Sequence, residues 1–272
     1  MSTREERIEQ IKMQFIGKTG LRVLLVEGTD DVDAFRIFLG RKFPEWEKTW
    51  LLAAAGNKSD VVKMLMKEPN WQGLVDRDEW TEADIAEKQA ACPNLSVLPR
   101  FCLESYLIDP AELWAAFPEK QRAKIAGGEA QFRLELLDDM QGWVRHAALW
   151  HGVRPLWRQL RQVGFPDAVL GSPPMPDDAA LRVKFKEWHG TLDADAVLNG
   201  VHALEARLAS EDVSKLCTQW LYAKDFYPQV VHQVLNRLLG QKPAKERRLA
   251  ILRTRTVPAD LDVLWQEMGL QA

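Results

Sequence analysis

The sequence predicts an α/β protein, a parallel sheet flanked by helices, with an attached all-helical region. Three observations carry that expectation. Short apolar runs alternate with helical patterns through the first hundred or so residues. Those runs are nearly continuous in apolar residues, as strands buried on both faces must be. Beyond residue 110 the chain keeps a helical spacing of Leu, Ala, Trp and Arg, and strand-like runs disappear.

Each element has its own signal. Thr3 to Gly17 reads as an opening helix, with Thr3 and Glu6 fitting a capping box and Ile8, Ile11, Phe15 and Ile16 forming an apolar stripe. LRVLLVEG (Leu21 to Gly28) is a first strand closed by glycine. Asp30 or Asp31 can cap the helix Val32 to Arg41, which buries Val32, Phe35 and Leu39. TWLLAAAG is a second strand closed by Gly56-Asn57, and a helix over Ser59 to Lys67 follows, with Ser59 or Asp60 near its cap. WQGLVDRD supplies a third strand and LSVLPR a fourth. The expected organisation is an α/β core over residues 1–112, a helical domain over 113–212, and a helical segment over 213–272 that returns to the core. Helices are expected in that last segment at Val213 to Leu221 and Pro228 to Leu239. The proline cluster Gly164 to Asp178 reads as an exposed loop.

Composition narrows the class. No apolar run approaches the ~20 residues that cross a bilayer, and MSTREERIEQ lacks the apolar stretch of a signal peptide. Cys92, Cys102 and Cys217 are scattered and lack metal spacing, so a reducing cytoplasm is expected and a zinc site is not. A net charge of −3 does not advertise nucleic-acid binding, but the charge is uneven. Gln241 to Thr256 carries Lys242, Lys245, Arg247, Arg248, Arg253 and Arg255 against Glu246 alone. A second basic stretch runs from Arg145 to Arg161. Such a split suits a protein that meets phosphates at one place and metal at another, and it puts Lys245, Arg247 and Arg248 among the candidate substrate contacts. A solvated helix face has the same composition.

The chemistry-bearing residues are acidic. VEGTDD (Val26 to Asp31), LVDRDE (Leu74 to Glu79) and FCLESYL (Phe101 to Leu107) follow one another, the first two directly after predicted strands. Glu27, Asp76 and Asp78 should therefore emerge at the carboxyl edge of the sheet, where open parallel sheets bind ligands. Like charges in contact repel by roughly 4 kcal/mol per pair at an effective dielectric of about 20, so a gathering of them implies a hard divalent cation. Asp76 and Asp78 are two apart, on one face of an extended chain with Cα atoms about 6.6 to 7 Å apart. One or two hydrated cations can bridge that span and clamp a phosphodiester displacement. Glu27 then either helps hold the metal or acts as general base, and Gly28 lets backbone approach phosphate closely. Lys58, at a helix start after Gly56-Asn57, is placed to hold a substrate phosphate. Trp80, next to the DRDE acids, is placed for substrate contact. An acid after a strand also serves as a plain helix cap, and a lone DxD also occurs in surface turns.

Trp143, Trp150 and Trp157 recur every seven residues along one helix face, disturbed by Pro155. With Arg145, Arg154 and Arg158 interleaved they make either a stacking platform for unpaired bases or a helix-packing stripe. His146 and His151, five apart, read as surface histidines.

VEGTDD followed by VDRD resembles the TOPRIM signature, a glutamate after the first strand and a DxD after the third. LPRFCLESYLIDPAEL is similar to the R…(I/L)EnYLl-P stretch of the small TOPRIM nucleases related to overcoming-lysogenization-defect (OLD) proteins, and YAKDFYP resembles their late G-K-D element. Ala223 stands where glycine is expected and Ser105 replaces the commoner asparagine. The resemblance covers about residues 21–113 plus Tyr222 to Pro228. It implies a TOPRIM-like fold and magnesium, with manganese as the alternative ion. It makes Glu27 the essential acid, Asp31, Asp76 and Asp78 metal ligands, and Glu104 a further acid of the site. Lys224 would be the cation that stabilises charge on the reacting phosphate, and Arg100, the arginine of the LPRFCLESYL stretch, would contact substrate. Proteins of this kind are often encoded beside an ABC-type ATPase in anti-phage systems such as PARIS, which implies an ATPase partner and leaves room for a homodimer.

Three function classes follow. The first is a metal-dependent nuclease acting on DNA or structured RNA such as tRNA. The second is a phosphoacceptor signalling domain, disfavoured because DRDEW lacks the turn expected after a phosphoacceptor aspartate. The third is a non-catalytic TOPRIM binding or regulatory subunit of an ATPase complex. The chain has no Walker A pattern, so ATP hydrolysis would fall to a partner.

Overall fold

The computed structural model describes residues 3–14, 21–78, 80–165 and 177–270. Phe15, Ile16 and Gly17 of the expected first helix, Glu79, and most of the expected proline-rich loop (166–176) lie outside them.

The sheet has four parallel strands, β1 (Arg22–Val26), β2 (Trp50–Ala54), β3 (Gln72–Val75) and β4 (Leu95–Val97), in the order β2-β1-β3-β4. Leu24 pairs with Leu52 on one side and Gln72 on the other, and Gly73 pairs with Leu95. The chain leaves β1 for β2 at one edge and then returns to place β3 on the opposite side of β1. The order therefore reverses between β1 and β3, which opens a crevice beyond their carboxyl ends.

Helices cover both faces, as the continuous apolar strands require. Val23 and Leu25 join a buried cluster with Ile8 and Ile11 of α1 (Arg4–Met13) and Val61, Met64 and Leu65 of α3 (Lys58–Leu65). Leu24 and Val26 alternate to the other face, where α2 (Thr29–Lys42) packs on β1 and β2. There Phe35 meets Phe38 and Trp265, with ring centroids 6.1 and 6.3 Å apart. Gly73 lets α3 lie close on β3: a Cβ there would stand 2.5 Å from Leu65 Cδ1 and 2.7 Å from Val61 Cγ1. The first helix has the expected capping box, Thr3 with Glu6. α4 (Glu82–Ala91), capped by Thr81 with Asp84, connects β3 to β4, a helix beyond the expected elements.

The chain divides into two compact units. The first comprises residues 1–138, 217–219 and 223–272, and the second residues 139–216 and 220–222. The division thus falls later than the expected boundary after residue 112. Its cause is an aromatic cluster: Phe132 of α7 (Gly128–Leu136) packs on Phe117 at 5.3 Å and on Trp114 of α5 (Pro110–Ala116) at 5.8 Å. The carboxyl-terminal helices Ala223–Phe226, His232–Leu239, Ala244–Thr254 and Asp262–Glu267 belong to the sheet-bearing unit.

Among its described residues the second unit holds helices joined by turns and no strand. Its axis is α8 (Met140–Gln162), continuous through Pro155, with the helices Asp178–Thr191 and Ala194–Leu208 packed on it. Trp150 stacks on Tyr222 at 4.9 Å, so this member of the tryptophan stripe is a packing residue. His151 is not a surface histidine: its Nε2 lies 3.1 Å from the Trp220 carbonyl, and burial pushes its pKa down. His146 is half-buried too, with its ring 5.1 Å from Trp143. No described helix is long and apolar enough to cross a membrane.

Candidate acidic site

The strand ends place the acids. Glu27 follows β1 and Asp76 follows β3, the two strands that flank the crevice, so both side chains enter it without a long loop. Glu27 Oε1 accepts the Asp76 N–H at 2.9 Å, and Asp76 Oδ1 accepts the Leu103 N–H at 3.1 Å. Asp78 turns back through a left-handed backbone (φ 48°), the one described non-glycine residue with positive φ. Aspartate tolerates that region better than most residues. Its N–H donates to the Phe101 carbonyl at 2.8 Å, which ties the loop after β3 to the Leu103–Leu107 turn.

One carboxylate oxygen from each of Glu27, Asp76 and Asp78 lies within 4.8 Å of the other two, among the described residues. A second group with the same spacing joins Asp76 to Cys102 and Glu104. Asp76 thus belongs to both, and it is 8% exposed. Burial raises its carboxyl to about 7 against the pull of Lys224, and raises Asp31 to about 6. The Glu27 carboxyl is also raised, mainly by burial. Burial thus penalises the charged form of all three acids.

Two lysines answer part of it. Lys224, on the short helix Ala223–Phe226, reaches Asp76 Oδ2 at 2.8 Å and Asp78 Oδ1 at 3.0 Å. The acids hold it charged, well above the ordinary lysine range. Ala223, where glycine is expected, is fully buried. Lys58, the first residue of α3 after the Asn57 cap, pairs with Asp78 Oδ2 at 2.7 Å and lies 4.4 Å over the Trp80 ring. Trp80 also packs against the core cluster, so it braces Lys58.

Several predicted residues have other partners. Asp31 Oδ2 accepts the Gly28 N–H at 2.7 Å and caps α2. Gly28 is therefore a helix cap with extended backbone, its amide already engaged. Glu104 lies 3.5 Å from Arg248, whose other nitrogen pairs with Asp30 at 2.5 Å. Lys245 pairs with Asp30 and Asp33 at 3.3 and 2.8 Å. The basic segment is thus folded back onto the acids of α2, which the linear charge pattern does not reveal. Arg247 is 7% exposed and bonds Asn236 Oδ1 and the Gly240 carbonyl, away from any outer surface.

Arg100 is corrected most clearly. It is 8% exposed, forms a two-pronged pair with Glu112 at 2.7 and 2.7 Å, meets Asp260 at 2.7 Å, and lies 4.2 Å over the Tyr106 ring. With both acids engaged, its place is that of a staple between the Leu103–Leu107 turn, α5 and the Ala259–Leu261 turn, and substrate contact falls away.

The sequence reasoning missed Cys102, which neighbours Asp76 and Glu104. Its spacing two residues before Glu104 is the one available signal. Burial keeps its thiol protonated, well above the usual range, which suits packing better than ligation of a hard ion. The backbone groups of Phe101 and Leu103 that fix the aspartates carry no sequence signal at all.

Comparison with models of known protein families finds no match, and comparison with curated proteins finds none.

Proposed function

We propose that the chain is a metal-dependent nuclease of the TOPRIM type. It would hydrolyse phosphodiester bonds of DNA or of structured RNA such as tRNA, as the effector of an anti-phage system that works beside an ABC-type ATPase. The observation that carries this reading is the convergence of Glu27, Asp76 and Asp78 within 4.8 Å at the point where the strand order reverses. The donor set fits a hard cation: every donor in that group is a carboxylate oxygen, and burial penalises the charged form of Asp76, which a bound cation would offset. Glu27, Asp76 and Asp78 would hold magnesium or manganese, which when bound would polarise a phosphoryl oxygen and lower the pKa of water. Lys224 and Lys58 present ammonium groups at the same place and would meet the charge that builds on the transferring phosphate. Glu27 would orient the attacking water, its Oε1 held by the Asp76 amide.

A second reading is favoured by the Lys224 pairs. Because the ammonium already satisfies both aspartates, the chain would also serve as a non-catalytic TOPRIM binding or regulatory subunit. The deciding experiment incubates purified protein with magnesium or manganese and plasmid, single-stranded DNA or total tRNA, beside an Asp76→Ala/Asp78→Ala variant. Metal-dependent cutting that the variant loses supports the nuclease and names its substrate class. No cutting by either protein, alone or with the ATPase partner, favours the second reading.

A further inference from the structure

A cleft of about 370 Å³ in the sheet-bearing unit is lined by residues of α5, by Arg100 and by the loop from Arg255 to Asp260. Its volume lies within the ~300–1,000 Å³ typical of small-molecule sites. It shares no lining residue with the acidic site at the strand ends. Two bases, Arg100 and Arg255, and two acids, Glu112 and Asp260, stand in its walls. Arg100 is engaged on all three nitrogens: Nε with Asp260, Nη1 and Nη2 with Glu112.

Arg255 is not fully engaged. Its Nε donates to the Thr256 carbonyl at 3.3 Å and its Nη2 to Glu112 at 3.0 Å, while Nη1 has no partner among the described residues. Yet the residue is only 5% exposed. Burial pushes its pKa down against the pull of Glu112, a cost that a bound anion would offset. The backbone behind it is held, since the Arg255 carbonyl accepts from Arg41 of α2 and its N–H donates to the Ile251 carbonyl at 2.9 Å. A buried guanidinium, fixed in place with donors to spare, is prepared for a carboxylate.

The other walls set the rest of the ligand. Asp260 gives one oxygen to Arg100 and is one-third exposed, and a carboxylate has about four acceptor sites, so an ammonium can join it. Ala115, Val257, Pro258 and Ala259 add small aliphatic surface. No aromatic ring is among the described lining residues, so a nucleobase has nothing to stack on. The two acids also repel a polyphosphate. We propose that this cleft binds a free aliphatic α-amino acid, its carboxylate on Arg255, its ammonium on Asp260 and its side chain against Val257 and Pro258. The site stands independently of the nuclease reading.

Titration calorimetry and thermal melting of the full chain with L-valine, L-leucine and L-methionine test it. At least one of them should bind with a Kd on the order of 1 mM or tighter and raise the melting temperature. Propionate and propylamine each carry one of the two charges and should bind at least about ten-fold more weakly. Arg255→Lys keeps the charge but loses the planar fork, and should weaken binding about ten-fold. Ala115→Trp fills the cleft from an exposed position of α5, removes no charge and should abolish binding. It decides the matter if circular dichroism shows that Arg255→Lys folds poorly. No binding of any of the three amino acids at about 10 mM, or parent-like binding in either folded variant, would overturn the proposal. Propionate bound as tightly as valine would make the cleft a plain anion site and overturn the amino-acid assignment.

Discussion

Lys224 Nζ stands 3.0 Å from Asp78 Oδ1, a pair separated by 146 residues of sequence. The same ammonium lies 2.8 Å from Asp76 Oδ2, between the two carboxylates to which a divalent ion is assigned above. A fixed cation in that position competes with a mobile one. Lys224→Met is therefore expected to bind Mn2+ roughly ten-fold more tightly by titration calorimetry, since ten-fold corresponds to only about 1.4 kcal/mol, and to cut no substrate. Affinity equal to or below the parent's would show that the ammonium and the metal do not compete.

Glu27 separates chemistry from structure. Its Oε1 accepts the Asp76 N–H, a role that an amide oxygen can fill. Glu27→Gln should keep or slightly raise the melting temperature, because one like charge leaves the cluster. Cleavage should fall by about a hundred-fold or more. A variant that melts far below the parent would move Glu27 from the reaction to the fold.

Arg100 should behave in the opposite way. Removing it takes a charged partner from both Glu112 and Asp260, each about one-third exposed. Arg100→Met is expected to cost about 3 kcal/mol in urea denaturation, the cost of breaking a largely buried pair, while Arg255 still holds Glu112 at 3.0 Å. Unchanged stability with weakened substrate binding would restore the substrate role implied by the resemblance.

The raised carboxyls make stability depend on pH. Asp76 at about 7 and Asp31 at about 6 hold more protons in the fold than in the unfolded chain, where aspartate titrates near 4. Between roughly pH 4 and 7 the folded state binds the excess protons, so the contribution of this pair is present at the acid end and is lost as pH rises. Metal-free protein is expected to melt progressively lower from pH 5 to pH 7. Asp76→Asn should show a shallower dependence, and added Mn2+ should offset the loss near pH 7. An identical pH dependence in Asp76→Asn and parent would remove Asp76 as the source.

Local signals determined the strands and most of their helices. Continuous apolar runs mark β1, β2, β3 and β4 because a buried parallel strand has no polar face, and Thr3 with Glu6 marks α1 because its cap lies within one turn. Glu27, Asp76 and Asp78 were legible for the same reason: a residue at the end of a strand inherits its position from the strand. The partners were not legible. Lys224 reaches Asp76, Arg248 reaches Asp30 and Arg100 reaches Asp260 across long stretches of chain. A linear charge pattern records how many charges a segment carries but not what it folds against, which is why Gln241 to Thr256 read as a basic face while Lys245 and Arg248 lie against acids. The sequence by itself determined the sheet and the acids at its edge. Tertiary structure alone decided which cations meet those acids and that Arg100 and Arg247 are buried, because pairing depends on distance in space.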